Sequence, residues 1–220
     1  MTTAFRRAVS IVGAFLLLVA AMPLGTAAQE PDTTVQSVPP AESATSDNGE
    51  KDVPYVPTVK SVVRKMLETA DVTADDVVYD LGSGDGRIPI MAAKEFGARG
   101  VGIEIDSALV AKARQKAKAA GVADKVEFRQ KDFFNVDLSD ATVVTLYLWP
   151  EINIKLRPKL LKELDPGDRI VSHDFRMGEW DPERTVDAGK GNTGWETVYR
   201  WTVPETVPED LMDISDEPVN

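Results

Sequence analysis

One stretch fixes more about this chain than any other. Val77-Val78-Tyr79-Asp80-Leu81 is an apolar run interrupted by one acid, and it breaks directly into Gly82-Ser83-Gly84-Asp85-Gly86. Such a pattern demands a buried strand, a tight turn and then a helix, and it lets a nucleotide-like ligand approach bare backbone. A dinucleotide fingerprint would need a third small residue at position 87, where Arg87 stands instead. A phosphate-cradling loop would need Gly-Lys-Ser/Thr at its end, and that is absent. The second glycine-rich segment, Gly189 to Gly194, has no apolar run before it and reads as a turn. The acid before the first glycines instead favours a ligand with a positive group, and S-adenosylmethionine (SAM), with its ammonium and sulfonium, is such a ligand.

Two further strand ends agree. Gly100-Val101-Gly102-Ile103-Glu104 ends in an acid about 20 residues after the glycines, the offset at which a carboxylate holds ribose hydroxyls. Val126-Glu127-Phe128-Arg129-Gln130 leads into Asp132 and Phe133, an acid and an aromatic suited to an adenine amino group and ring. Each acid alone is equally a helix cap or a solvated loop charge. Backbone contact with SAM is assigned to Gly82, Ser83, Gly84 and Gly86, and its amino-acid end to Asp80. Glu104 takes the ribose, and Asp132 with Phe133 the adenine.

These motifs lie in alternating strand and helix patterns from residue 58 to residue 172. Helices are expected over 58–70, after the glycines with Pro89 in the first turn, over 107–120, and over about 154–164 with Pro158 restricting its start. Strands are expected over 76–81, 100–105, 126–130, 141–148 and 169–172, with two more near 184–186 and 197–203. The fold class is α/β: a Rossmann-like, doubly wound, mostly parallel seven-stranded sheet closed by a C-terminal antiparallel hairpin. Asp80, Glu104, Asp132, Tyr147 and His173 all fall near the carboxyl ends of strands, where open α/β sheets bind ligands.

From about residue 54 to residue 204 the chain resembles the class I SAM-dependent methyltransferases. Within them it is similar to bacterial relatives of the seven-strand protein-lysine methyltransferases that modify the mitochondrial adenine nucleotide translocase and the c-ring protein of ATP synthase. The resemblance is carried by Pro54-Tyr55-Val56-Pro57-Thr58, by Asp80 to Ile88, by Ala141 to Leu148 and by Val171-Ser172-His173-Asp174-Phe175. It implies that Tyr55 and Thr58 fold over the donor, although a simple N-terminal staple and cap would use them too. It also implies that Tyr147, Trp149, Pro150 and Asn153, at and after the fourth strand, face the acceptor. With Tyr147, the pair His173 and Asp174 forms the catalytic candidate set: histidine titrates near neutrality, and the same pair is equally a structural hydrogen bond. The Asn/Asp-Pro-Pro-Tyr signature of amide and base methyltransferases is missing.

The implied reaction is methyl transfer from SAM by in-line displacement, with a protein lysine, in a membrane protein, as acceptor. Alignment supplies much of the acceleration, and no metal is expected, since the chain has one histidine and no cysteine. Two alternatives stand beside it: a small-molecule methyltransferase, and an exported SAM- or nucleoside-binding module without turnover. The 25 basic and 36 acidic residues give a net charge of −11, which argues against nucleic acid as partner. The N-terminus complicates the picture. Arg6-Arg7, the apolar residues 9–22 and Gly25-Thr26-Ala27-Ala28 read as an export signal or an uncleaved membrane anchor over 1–28. A disordered linker over 29–52 follows, then the catalytic domain over 53–204 and an acidic tail over 205–220 with few apolar anchors. The expectation is a monomeric, exported domain, touching the membrane only through that first segment, although SAM is made in the cytoplasm.

Overall fold

Val78, Val143, Val171 and Val198 point to one face of a sheet, and Tyr79, Leu81, Val144, Leu146, Ile170 and Trp201 to the other; all are buried. Alternation with both faces apolar is what a sheet covered by helices on both sides requires. The computed structural model describes residues 57–215 and shows that arrangement. The strands are β1 (Val77–Leu81), β2 (Arg99–Glu104), β3 (Val126–Gln130), β4 (Val143–Leu146), β5 (Arg169–His173), β6 (Arg184–Lys190) and β7 (Trp195–Thr202). Their order is β3-β2-β1-β4-β5-β7-β6. The first five run parallel, and β7 joins β5 and β6 antiparallel. The direction of strand order therefore switches between β1 and β4, the place where such sheets open a crevice.

The helices follow from their sequences. In α1 (Lys60–Thr69), Val62, Val63, Met66 and Leu67 repeat at helical spacing and pack on the valine face. Gly86, left-handed at φ 76°, starts α2 (Arg87–Met91), which holds Pro89 in its first turn, continues as a π-helical turn over Ala92–Phe96, and stops at Gly97. In α3 (Ser107–Ala120), the Asp106 carboxylate caps the Ala108 and Leu109 amides, and left-handed Gly121 ends the helix.

The fourth helix departs from expectation. α4 spans Pro150–Glu163, so it begins at Pro150 and carries Pro158 in its interior. Pro150 is favourable at a first helical position, and the burial of Ile152, Ile154, Leu156, Leu160 and Leu161 outweighs the cost of the inner proline. The fourth strand is shorter than expected at both ends: its ladder runs only from Val143 to Leu146, and Tyr147 lies just beyond it. The acidic C-terminal segment is anchored more firmly than its composition implies. Arg157, fully buried on α4, donates to the carbonyls of Leu211 (2.8 Å), Asp213 (3.0 Å) and Met177 (3.0 Å), tying the chain down through a short 3₁₀ turn. Residues 1–56, with the leader, the linker and Tyr55, and residues 216–220 lie outside the described residues. Among the described residues, no helix is long and apolar enough to cross a membrane.

Candidate active site

The glycine loop leaves β1 with Gly82, Gly84 and Gly86 all in left-handed conformations that L side chains rarely adopt. Gly86 has a second constraint, since a Cβ there would lie 2.5 Å from the Phe128 ring and 2.8 Å from the Ala113 methyl. Close packing of the loop on α3 and β3 is thus achieved by Gly86, which frees position 87 for an arginine. Arg87 grips Asp85 with two bonds of 2.8 Å and donates to the Thr58 carbonyl at 2.5 Å. Lys116 of α3 also pairs with Asp85. Although burial pushes the Asp85 carboxyl up, these two cations hold it well below the usual range. The sequence assigns no separate role to Asp85 or Lys116 in this arm, although Asp85 lies within the Asp80–Ile88 segment.

Beside the loop, Asp80 is buried and accepts the Thr145 hydroxyl at 2.8 Å. Burial, with the negative charges of Glu104 and Asp85, pushes its carboxyl up to about 7 against the opposing bond from Thr145. A buried acid in this condition is suited to a cationic group brought by a ligand. Ser83 Oγ is buried without a hydrogen-bond partner, packed against Gly102 beside the Phe128 ring, so only the backbone of Ser83 is offered by the loop. Glu104 at the end of β2 accepts from the Gly84 amide (2.8 Å) and the Asp106 amide (2.9 Å), so the carboxylate is oriented by loop and helix cap together. Directly after it, Ile105 is 45% exposed, an apolar surface that sequence reasoning passed over.

Asp132 and Phe133 sit at the end of β3 as expected, but in a 3₁₀ turn. The Asp132 oxygens accept from the Phe134 amide (2.9 Å) and the Asn135 side chain (3.0 Å), so the carboxylate caps the turn. A carboxylate retains lone pairs beyond those two bonds. Thr58 reaches the same edge of the sheet from the segment before α1.

Across the switch point lies an aromatic array. Tyr147 lies 4.0 Å from His173 between ring centroids, tilted by 35°, and stacks on Phe175 at 6.1 Å, while Trp149 lies 5.3 Å from Phe175. Trp149 is 43% exposed and forms the outer rim. Burial, then the charges of Asp174 and Glu196, pushes the Tyr147 phenol up. His173 is differently placed from a general base. It is 1% exposed, Nδ1 meets the Thr58 hydroxyl at 3.2 Å, and Nε2 meets Glu196 Oε2 at 2.8 Å and Asp174 Oδ2 at 3.5 Å. Burial lowers its pKa despite the two carboxylates, and both nitrogens are engaged, so the ring anchors its neighbours. Asp174, at φ 61°, also accepts from the Thr197 amide at 2.8 Å. Glu196 gave no signal in sequence; it arrives from β7 only because the hairpin folds back on β5. One nitrogen and two carboxylate oxygens of His173, Asp174 and Glu196 lie within 4.8 Å of one another, a donor set of the kind a divalent cation takes, here joined by hydrogen bonds.

Pro150 and Asn153, the other two acceptor-side candidates, both lie in α4. Pro150 opens α4, and Asn153 is fully buried, its amide reaching Ser172 Oγ (3.2 Å) and the carbonyls of Phe175 and Arg176 (3.4 Å each). Asn153 thus holds the loop that carries Phe175. A cleft of about 280 Å³ near Arg114, Ala117, Val126 and Phe128 lies on the outer edge of the sheet and includes none of these side chains.

The loop, Asp80 and Glu104 fit SAM: a glycine backbone for close approach, a buried acid suited to its ammonium and a second acid suited to its ribose. The comparisons with known proteins agree. The family model described as the ANTKMT methyltransferase domain matches residues 80–184. A protein-lysine N-methyltransferase of Saccharolobus islandicus is 47% identical over 154 residues, which cover 70% of this chain and 95% of that protein. The mouse adenine nucleotide translocase lysine N-methyltransferase is 38% identical over 138 residues, or 62% of this chain and only 59% of the mouse protein. A crystal structure described as an RNA methyltransferase from Salinibacter ruber, in complex with S-adenosyl-L-homocysteine, shares 64% identity. It superposes with a TM-score of 0.67, covering 72% of this chain and all of that one. The chain belongs to the SAM-dependent methyltransferase family of the Saccharolobus protein-lysine N-methyltransferase.

Proposed function

We propose that the protein transfers a methyl group from SAM to the side-chain nitrogen of a lysine in a protein substrate. SAM supplies an electrophilic methyl on a sulfonium, and the chain's own residues bind, orient and exclude water. Asp80 meets the ammonium, Glu104 the ribose, Ile105 and Phe133 the faces of the purine, and Asp132 its amino group. The observation that carries the lysine reading is the acceptor side: Tyr147, Phe175 and Trp149 present ring faces, and the carboxylates of Asp174 and Glu196 lie behind them. Ring faces attract an ammonium group, and the carboxylates add to that attraction. That attraction brings the lysine in as the cation, and its proton must leave to solvent before the free amine attacks the methyl group. His173 and Asn153 serve as anchors for this wall.

An RNA acceptor is the competing reading, raised by the description of the Salinibacter structure. The net charge of −11 and the carboxylates at the acceptor side oppose a phosphate backbone. A lysine of a membrane protein is the narrower acceptor we favour, supported by the mouse lysine methyltransferases named for the adenine nucleotide translocase and for ATP synthase. Export of the domain remains part of this proposal through the N-terminal segment, and fractionation of cells for the mature chain tests it. The acceptor class is tested by incubating methyl-labelled SAM and the full chain with a lysate depleted of endogenous activity. Label lost to protease but not to RNase, and absent with Glu104→Ala, is expected. Label lost to RNase would replace lysine by RNA.

A further inference from the structure

Pro57 and Thr58, which lead into α1 through Val59, are gripped from both halves of the crevice. Arg87, whose guanidinium is bound to Asp85 in the glycine loop, donates to the Thr58 carbonyl at 2.5 Å. From the opposite side, Asn192 in the β6–β7 turn donates through Nδ2 to the Pro57 carbonyl at 2.7 Å. The Thr58 hydroxyl meets His173 Nδ1 at 3.2 Å, and His173 Nε2 meets Glu196 at 2.8 Å. Glu196 is itself fixed by the Thr193 amide and hydroxyl at 3.2 and 3.3 Å. The turn is shaped around it, since a Cβ on Gly191 would overlap the Glu196 carboxylate.

The chemistry of this chain is directional. A carboxylate at Nε2 requires a proton on that nitrogen, which leaves Nδ1 as an acceptor for the Thr58 hydroxyl when the ring is neutral. Glu196 thereby selects the tautomer that holds Thr58, without touching Thr58 itself. Asn192 holds the adjacent residue through a bond that involves no titratable group.

We propose that Glu196 and Asn192 are positioning residues of the donor site. They act through Thr58 and Pro57, which in turn brace Arg87 and the Asp85 arm of the glycine loop. The inference rests on the reading of Gly82–Gly86 as the SAM loop. It assigns to the β6–β7 turn, on the acceptor side of the sheet, a role in donor affinity. Donor and acceptor binding are then coupled, because the turn holds Pro57 through Asn192 and fixes, through Thr193, the β7 residue Glu196 that holds His173.

Calorimetric titration of SAM into the full chain tests this. Asn192→Ala and Glu196→Gln should each weaken SAM binding roughly threefold to tenfold, the effect of one lost hydrogen bond on position. Thr58→Val should weaken it similarly, and adding Glu196→Gln to Thr58→Val should cost nothing further, which a merely structural role would not produce. Asn192 is exposed on its turn, so its variant reports even if a change at buried Glu196 impairs folding. Unchanged SAM affinity in Asn192→Ala, or losses that multiply in the Thr58→Val/Glu196→Gln double variant, would overturn the proposal. A folded wild-type chain that does not bind SAM refutes the donor-site reading itself, and the strap with it.

Discussion

Asp80 makes SAM affinity a function of pH in a way that can be worked out. Its carboxyl is pushed up to about 7, chiefly by burial, so near neutrality the ligand-free site is a mixture of acid and carboxylate. Only the carboxylate compensates an ammonium group. The apparent dissociation constant then scales as one plus the ratio of protonated to ionised Asp80, giving roughly an eightfold weakening from pH 7.5 to pH 6. Stopping at pH 7.5 keeps the ligand's own amino group largely protonated. The same residue acts on stability with the opposite sense. Because the folded-state value lies above the unfolded one, the ligand-free protein retains a proton that the unfolded chain releases. That contribution is present below about pH 4 and is lost as pH rises through about 7, a span equivalent to at most about 4 kcal/mol. Asp80→Asn keeps an acceptor for Thr145 and removes the buried charge. It should therefore raise the ligand-free melting temperature at pH 8 and abolish most SAM binding together with its pH dependence. Calorimetric titrations at the two pH values and thermal melts at pH 8 are the assays. A flat affinity between pH 6 and 7.5, combined with a destabilised Asp80→Asn, would refute the argument.

Other sites give separate outcomes. Gly86→Ala should lower stability by roughly 2–4 kcal/mol in chemical denaturation, from the left-handed backbone and the overlap with Phe128. Trp149→Ala removes an exposed rim indole and should leave SAM affinity and melting unchanged while kcat/KM for the protein acceptor falls roughly fivefold, about 1 kcal/mol of ring–cation attraction. Arg157→Met should release the C-terminal segment, seen as new protease cleavage beyond Pro204, and cost roughly 2–4 kcal/mol from three lost carbonyl bonds.

The sequence was most informative where one residue type answers one local demand. Alternating valines, glycines forced into left-handed turns and the Asp106 cap are local facts, and they specified β1, the loop and α3 with boundaries that hold to within a residue. Glu104 was readable because its distance from the glycines is set by one helix and one strand. Glu196 was not, because its role depends on β7 returning antiparallel beside β5, which brings it to His173 across 23 residues. Arg87 has no role of its own in the sequence beyond excluding a dinucleotide loop and belonging to the Asp80–Ile88 segment, since its partner Thr58 lies 29 residues away and meets it only after folding. His173 was singled out for its titration near neutrality, and burial changes that property and its role together. The inner proline of α4 shows the converse, a local signal overruled by the apolar face that the helix must bury.

Lysine methylation in this crevice leaves a defined chemical product. Its most direct measurement is the chemical identity of the product after transfer from methyl-labelled SAM. Labelled macromolecules made by the wild-type chain are hydrolysed completely, and the hydrolysate is separated beside methylated lysine and methylated nucleoside standards. Label co-migrating with Nε-methylated lysine, and missing with Glu104→Ala, is the predicted result. Label in a methylated nucleoside, with none in lysine, would contradict it.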